Sequence, residues 1–194
     1  MNVETAVSEF NKYVSQFDLK ENKINLKYNH TFRVADLCGD IASNIGLNDE
    51  EVKLAKIIGL LHDIGRFEQI KRHDTFSDNK TFDHADYGCA ILFEEKLIRS
   101  FIKNPEYDDL IKKAIYAHNK LHIPAYYNDQ EKLFSKIVRD ADKIDILYIQ
   151  SLLCEDEVIL DEHYSGNIVD ALREKQMIKY NEVIYPLDHI MLEL

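Results

Sequence analysis

Apolar residues recur every three to four positions along most of this 194-residue chain, the spacing of one face of an α-helix. Val3, Val7, Phe10, Val14 and Phe17 predict a first amphipathic helix starting at Asn2, and residues 20–25 read as a polar link. Leu26, His30, Val34, Leu37, Ile41 and Ile45 form the stripe of a second helix, with Gly46 placed to cap its C-terminus. Asn48 followed by Glu51 is a capping box that opens a third helix. There Val52, Ala55, Gly59 and His62 share one face while Leu54, Ile57, Ile58, Leu60 and Leu61 fill the others, so the helix is expected to be buried and to end at Gly65. Residues 66–83 read as a long polar connection carrying Arg66, Lys71, Arg72, His73 and Lys80. Further helices are predicted from about residue 84 to 102, broken before Pro105, and from about 106 to 122, stopped by Pro124. The second of these has Ile111, Ala114, Ile115 and His118 in register. Ile137, Ala141, Ile144 and Tyr148 stripe the next helix, with Asp142 one residue off the stripe. Residues 155–194 read as helical, and "VIYPLDHIML" fits a short hairpin or a docking tail.

Composition narrows the class. Six glycines and three prolines are few turn signals for this length, which favours helices joined by short polar links in one all-α domain. A net charge of −11 argues against a nucleic-acid polymer as main partner, because phosphate contacts need clustered Lys and Arg. Cys38, Cys89 and Cys154 lack motif spacing and sit in apolar or amphipathic stretches, so they read as small buried hydrophobes in a reducing compartment. No signal pattern and no run of membrane-spanning length is present, so a cytoplasmic protein without membrane contact is expected; homo-oligomerisation stays open.

Six polar residues sit where apolar ones belong. His30, His62, Asp63, His84, His118 and Asp142 lie on or beside apolar helix faces, and a buried carboxylate without a partner is costly to desolvate. A divalent metal satisfies such a set together, taking neutral imidazole nitrogens and anionic oxygens. His62 and Asp63 differ by about 100° around a helix, so both can reach a cation beside its end, and Asp63 is the natural bridge between two metals. Asp140 competes with Asp142. His73, His122, His163 and His189 have loop, helix-end or tail contexts and read as surface residues.

The order His30, then His62-Asp63, then Asp142 in "RDADKID" resembles the HD domain of the metal-dependent phosphohydrolase superfamily. "NHTFRVADLCGDIA" and "GLLHDIGR" look like that family's first two motif regions, and the resemblance runs from about residue 26 to 150. It implies an all-α, HD-domain-like helical bundle with a buried metal site, spanning 1–194 as one domain with 151–194 as a C-terminal helical extension. By the resemblance His30, His62, Asp63 and Asp142 bind one metal. His84 in "FDHADYG" and His118 in "IYAHNK" would complete a second site, with Asp63 bridging. The pattern departs from the HD-GYP proteins, since His118 is followed by Asn119 and no GYP signature is present, which removes support for cyclic-dinucleotide hydrolysis.

A bound metal pair lowers the pKa of a coordinated water and neutralises a phosphoryl group under attack. The expected activity is hydrolysis of a phosphate ester or phosphoanhydride of a small metabolite, a nucleotide first among them. The divalent ions, two in number, are drawn from Mn, Fe, Co, Ni, Mg or Zn. Asp63 and Arg66 are the catalytic candidates. Arg66, Lys71 and Arg72 are candidates to hold phosphate oxygens, and Arg33 and Asp145, one turn from His30 and Asp142, to orient a ligand or touch substrate. Two alternatives stay open. Mixed-valent diiron oxygenases of HD architecture use the same ordered ligand set, and a non-catalytic, metal-stabilised interaction module would also need buried ligands.

Overall fold

A computed structural model describes residues 1–153 and 163–174, together with residues 176, 178, 182–185 and 188. The predicted polar and apolar periodicity appears as helices, and no strand occurs among the described residues. The chain falls into two compact units, Met1–Ala141 and Asp142–Leu194.

In the first unit α1 (Val3–Val14) starts where Asn2 accepts a hydrogen bond from the Thr5 amide and buries Ala6, Phe10 and Val14. α2 (Asn22–Asn44) begins inside the expected link, because the Glu21 side chain accepts from the Lys23 amide and caps it. Its buried stripe is Ile24, Thr31, Val34, Ala35, Cys38 and Ala42, with His30 beside it, whereas Leu26 and Ile45 are exposed. Gly46 ends α2 as expected: at φ +82 it lets the Leu47 amide reach the Ala42 carbonyl at 3.1 Å. The Asn48–Glu51 capping box forms and opens α3 (Asp49–Leu61), whose Leu54, Ile57, Ile58, Leu60 and Leu61 pack against α2.

The expected end of α3 at Gly65 and the expected polar loop after it are both corrected. The chain breaks for one residue at Asp63, φ −105 and ψ 18, and re-enters α4 (Ile64–His73). Ile64, Phe67 and Ile70 form a three-residue stripe that buries Phe67 completely against Phe10 and Phe17, with ring centroids 5.8 and 5.5 Å apart. Asp74 stops α4 in the left-handed conformation, and Lys23 Nζ donates to its carbonyl at 2.6 Å.

The helix expected over 84–102 is interrupted. α5 (His84–Cys89) runs into a π-turn over Ala90–Glu94, Lys96 adopts φ 62, and the short α6 (Ile98–Phe101) follows. α7 (Asp108–Ala117) is shorter than predicted, with His118 at its C-cap. α8 (Asp129–Leu153) buries Phe134, Ile137, Val138 and Ala141 within the first unit and passes into the second at Asp142. Ile144 and Tyr148, expected on its buried stripe, are exposed. Cys38 and Cys89 are buried free thiols; Cys154 lies outside the described residues.

In the second unit α9 (Gly166–Arg173) buries Ile168. Asp188, fully buried, accepts from the Ser165 hydroxyl at 2.6 Å and from the amides of Ser165, Ile184 and Tyr185. Of the stretch expected as a hairpin or tail, residues 186, 187 and 189–192 lie outside the described residues. No described helix is long and apolar enough to cross a membrane.

Candidate metal centre

Four helices deliver imidazoles to the carboxylate of Asp63. His30 comes from the middle of α2, His62 from the end of α3, His84 from the first position of α5 and His118 from the end of α7, and all four are buried. Asp63 stands at the N-cap of α4, where a carboxylate ordinarily accepts from the helix's own first amides. Its side chain makes no such bond, which leaves both oxygens for the cluster. Gly65 allows α5 to come close enough: a Cβ there would collide with the His84 carbonyl and lie 2.8 Å from the Gly88 amide nitrogen.

The two oxygens divide the histidines between them. Asp63 Oδ2 lies 3.5 Å from both His30 Nε2 and His62 Nε2, and Oδ1 lies 3.2 Å from His84 Nε2 and 3.7 Å from His118 Nε2. Neighbouring ligand atoms on one ion with ordinary metal–ligand bonds lie roughly 3–3.5 Å apart, so the His30, His62 and His84 separations fall in that range and the His118 separation just beyond it. His30, His62 and Asp63, and Asp63, His84 and His118, are each spaced to hold an ion.

The far sides of the rings fix which nitrogen faces inward. His62 Nδ1 lies 2.7 Å from the Gly59 carbonyl and His118 Nδ1 lies 2.6 Å from the Ile115 carbonyl; carbonyls only accept, so both Nδ1 atoms carry the proton. His84 Nδ1 faces the Asp78 carboxylate at 2.7 Å. Each Nε2 is thereby left as the inward atom with a lone pair to offer, the arrangement in which outer hydrogen bonds orient metal-binding imidazoles. His84 Nε2 and His118 Nε2 stand 2.9 Å apart, a contact that needs a proton or another cation, since two lone pairs would repel.

Electrostatics match. Burial alone would raise the Asp63 carboxyl, but Lys27, His62, His118 and His30 outweigh it and hold it well below the ordinary carboxylate range. Lys27 Nζ is 2.6 Å from Asp63 Oδ2. Burial opposes charge on His84 too, yet its bonds to Asp63 and Asp78 raise it, whereas burial and the neighbouring His84 and His62 lower His118. Asp78 anchors the outer layer, accepting from Arg66 Nη1 at 2.7 Å, Gln69 Nε2 at 2.9 Å and Asn119 Nδ2 at 3.3 Å. Partial burial would raise the Asp78 carboxyl, but His84, Gln69 and Arg66 bring it far below the ordinary range. Because the folded pKa lies below the unfolded one, near 4, this stability is present above that pH and lost as pH falls through the depressed value. In metal-free protein, Asp78→Asn is expected to flatten the fall of Tm with acid between roughly pH 4 and 2, read by thermal melts in chelator.

Two of the basic candidates do not reach Asp63. Lys71 and Arg72 are exposed and face Glu68 at 3.6 and 2.9 Å, and Arg72 also donates to the Tyr87 hydroxyl, so α4 does not turn them toward Asp63. Arg33 is half-buried on α2. Asp142, half-buried, and Asp145, buried, sit on α8 within the second unit, and Asp140 is exposed. His73, His122 and His163 are exposed as expected; His189 lies outside the described residues. Lys27, Gln69, Asp78 and Asn119 escaped the sequence reading. Lys27 carried a usable signal, since it precedes His30 by three residues and shares its helix face. Asp78 carried none, because it reaches His84 through a loop.

A model described as HD domain matches residues 28–147. The chain is similar to Ribonuclease Y of Geobacter metallireducens and of Geobacter sulfurreducens, 36% identical over 93 residues in each case, and to Ribonuclease Y of Geotalea uraniireducens, 34% identical over 98 residues. These alignments cover 48–50% of this chain but span only 14–15% of the relatives' length. No solved structure gives a significant match. With the matched stretch running from just before His30 to just past Asp145 and taking in every histidine around Asp63, the chain belongs to the HD domain family.

Proposed function

We propose that this chain is a metal-dependent phosphohydrolase with a dinuclear centre. The observation that carries the reading is the orientation of the rings: His62, His84 and His118 each have Nδ1 against an oxygen and Nε2 toward Asp63. His30, His62 and Asp63 Oδ2 are assigned to one ion, and Asp63 Oδ1, His84 and His118 to the other. Asp142 is assigned as the remaining ligand. The motif "RDADKID" puts the family's aspartate there. When bound, the metals supply an acidified water and positive charge facing the phosphoryl group.

The chain's own groups do the rest. Asp63 keeps the two halves in register, and Asp78 holds the His84 ring so that Nε2 stays inward. Arg66 Nε, buried and without a hydrogen-bond partner, lies 3.7 Å from Asp63 Oδ1 and is placed to donate to a phosphate oxygen or to the attacking water. The substrate is a phosphate ester or anhydride of a small metabolite, a nucleotide first among candidates. A second reading, cleavage of an RNA phosphodiester in the same centre, is favoured by the similarity to proteins named Ribonuclease Y.

The test is metal content per chain on protein purified anaerobically without a metal-affinity column, together with turnover of p-nitrophenyl phosphate, mononucleotides, dinucleotides and single-stranded RNA. Wild type is expected to hold two ions and His84→Ala one, as for a metal-pair centre. Release of phosphate or nucleotide from one of these substrates is expected. No release from any, by the metal-loaded protein, sinks the proposal, and oxygen consumption with an iron paramagnetic signal would replace it with the oxygenase.

A further inference from the structure

The basic residues near the centre differ in what already neutralises them. Arg66 faces Asp78 at 2.7 Å, and Lys71 and Arg72 face Glu68. The carboxylate partner of Lys27 among the described residues is Asp63 alone, and the oxygen it holds, Oδ2, is the one shared by His30 and His62. Its ammonium therefore sits where a divalent ion bound by that triad would have to compete for the same oxygen. Two cations sharing one carboxylate oxygen at bonding distance repel strongly in a buried site.

We propose that Lys27 is the substrate-anchoring cation of this centre, parked on Asp63 until a metal takes that oxygen. The inference rests on the phosphohydrolase reading and names the group that binds its anionic substrate. Once Asp63 Oδ2 is coordinated, Lys27 loses its counter-ion while Arg66, Lys71 and Arg72 keep theirs. Lys27 is 14% exposed and its Nζ stands 5.6 Å over the Phe76 ring, so the four-carbon stem can swing the charge a few ångströms toward solvent. A phosphate oxygen entering there meets a cation with no competing carboxylate.

The test uses the full chain, Lys27→Met as a neutral side chain of similar length, Lys27→Arg to keep the charge, and Lys71→Ala as a basic residue outside the centre. Mn²⁺ affinity is titrated calorimetrically, and inorganic phosphate is then titrated into the Mn²⁺-loaded proteins. Lys27→Met is expected to bind Mn²⁺ at least about tenfold more tightly than wild type, because a competing buried cation is gone. It should bind phosphate about ten- to a hundredfold more weakly, the span of one charge-assisted hydrogen bond. Lys27→Arg should keep phosphate binding within a few-fold, and Lys71→Ala should match wild type in both titrations.

Mn²⁺ affinity unchanged or weakened in Lys27→Met would overturn the parking, and unchanged phosphate affinity would overturn the anchoring. Should Lys27→Met fail to fold without metal, its Mn²⁺-loaded form and Lys27→Arg still give the phosphate comparison. Wild type that takes up no divalent ion would instead overturn the phosphohydrolase reading beneath the proposal.

Discussion

Asp63→Ala is expected to remove bound metal and turnover together. Loss of a group that merely orients a ligand typically costs about 10- to 100-fold in metal affinity or activity. In the proposed centre Asp63 serves both halves at once, so kcat/KM is expected to fall by about a thousandfold or more, beyond that outer-layer range. A second signature appears without metal. Asp63 is 2% exposed and is the counter-charge for Lys27. Removing it leaves that charge buried and uncompensated, which destabilises the metal-free protein by roughly 2–4 kcal/mol; this is set below the range for a fully buried pair because Lys27 keeps a path to water. Urea unfolding in chelator measures that loss, and metal analysis measures the other. An Asp63→Ala protein that still held two ions would refute the bridging role.

Gly65→Ala is expected to cost about 2–3 kcal/mol, the upper part of the range for overpacking, because the atoms in its way are backbone and cannot swing aside as a side-chain tip can. The obstruction falls on the carbonyl of His84 itself. Pushing α5 away from α4 lengthens the 3.2 Å approach of His84 Nε2 to Asp63 Oδ1, so the variant should hold about one ion where the proposed centre of the wild type holds two. Gly46→Ala is the natural comparison. Nothing lies within 4 Å of a Cβ there, and the cost, about 1 kcal/mol, comes from the positive φ and leaves metal content untouched. Urea midpoints and metal analysis on the two variants separate crowding at the centre from strain at a helix end.

What the sequence reveals depends on contrast. His30, His62, Asp63, His84 and His118 stand out because each interrupts an apolar face, and the fold brings all five together. The Asn48–Glu51 box and Gly46 were legible because capping is local, decided within four or five residues. α4 was hidden: Arg66, Glu68, Lys71, Arg72 and His73 outnumber Ile64, Phe67 and Ile70, and it takes Phe10 of α1 and Phe17 of the bend after it to make those three worth burying. The face of α2 was misplaced by part of a turn because Leu26 and Ile45 are apolar yet exposed, which surface leucines and isoleucines often are. Lys27 and Asp78 are ordinary surface types, and only the geometry of a neighbouring element makes them part of the centre.

In the proposed dinuclear centre, the division of the Asp63 oxygens, one toward His30 and His62 and the other toward His84 and His118, would make the two halves a single thermodynamic unit. Whatever occupancy of one half does to affinity in the other, by fixing the carboxylate plane or withdrawing its charge, must be returned in equal measure. Two ions in such a centre would have filling curves linked by one coupling free energy, so a change beside His30 that alters this coupling would alter the affinity measured beside His84.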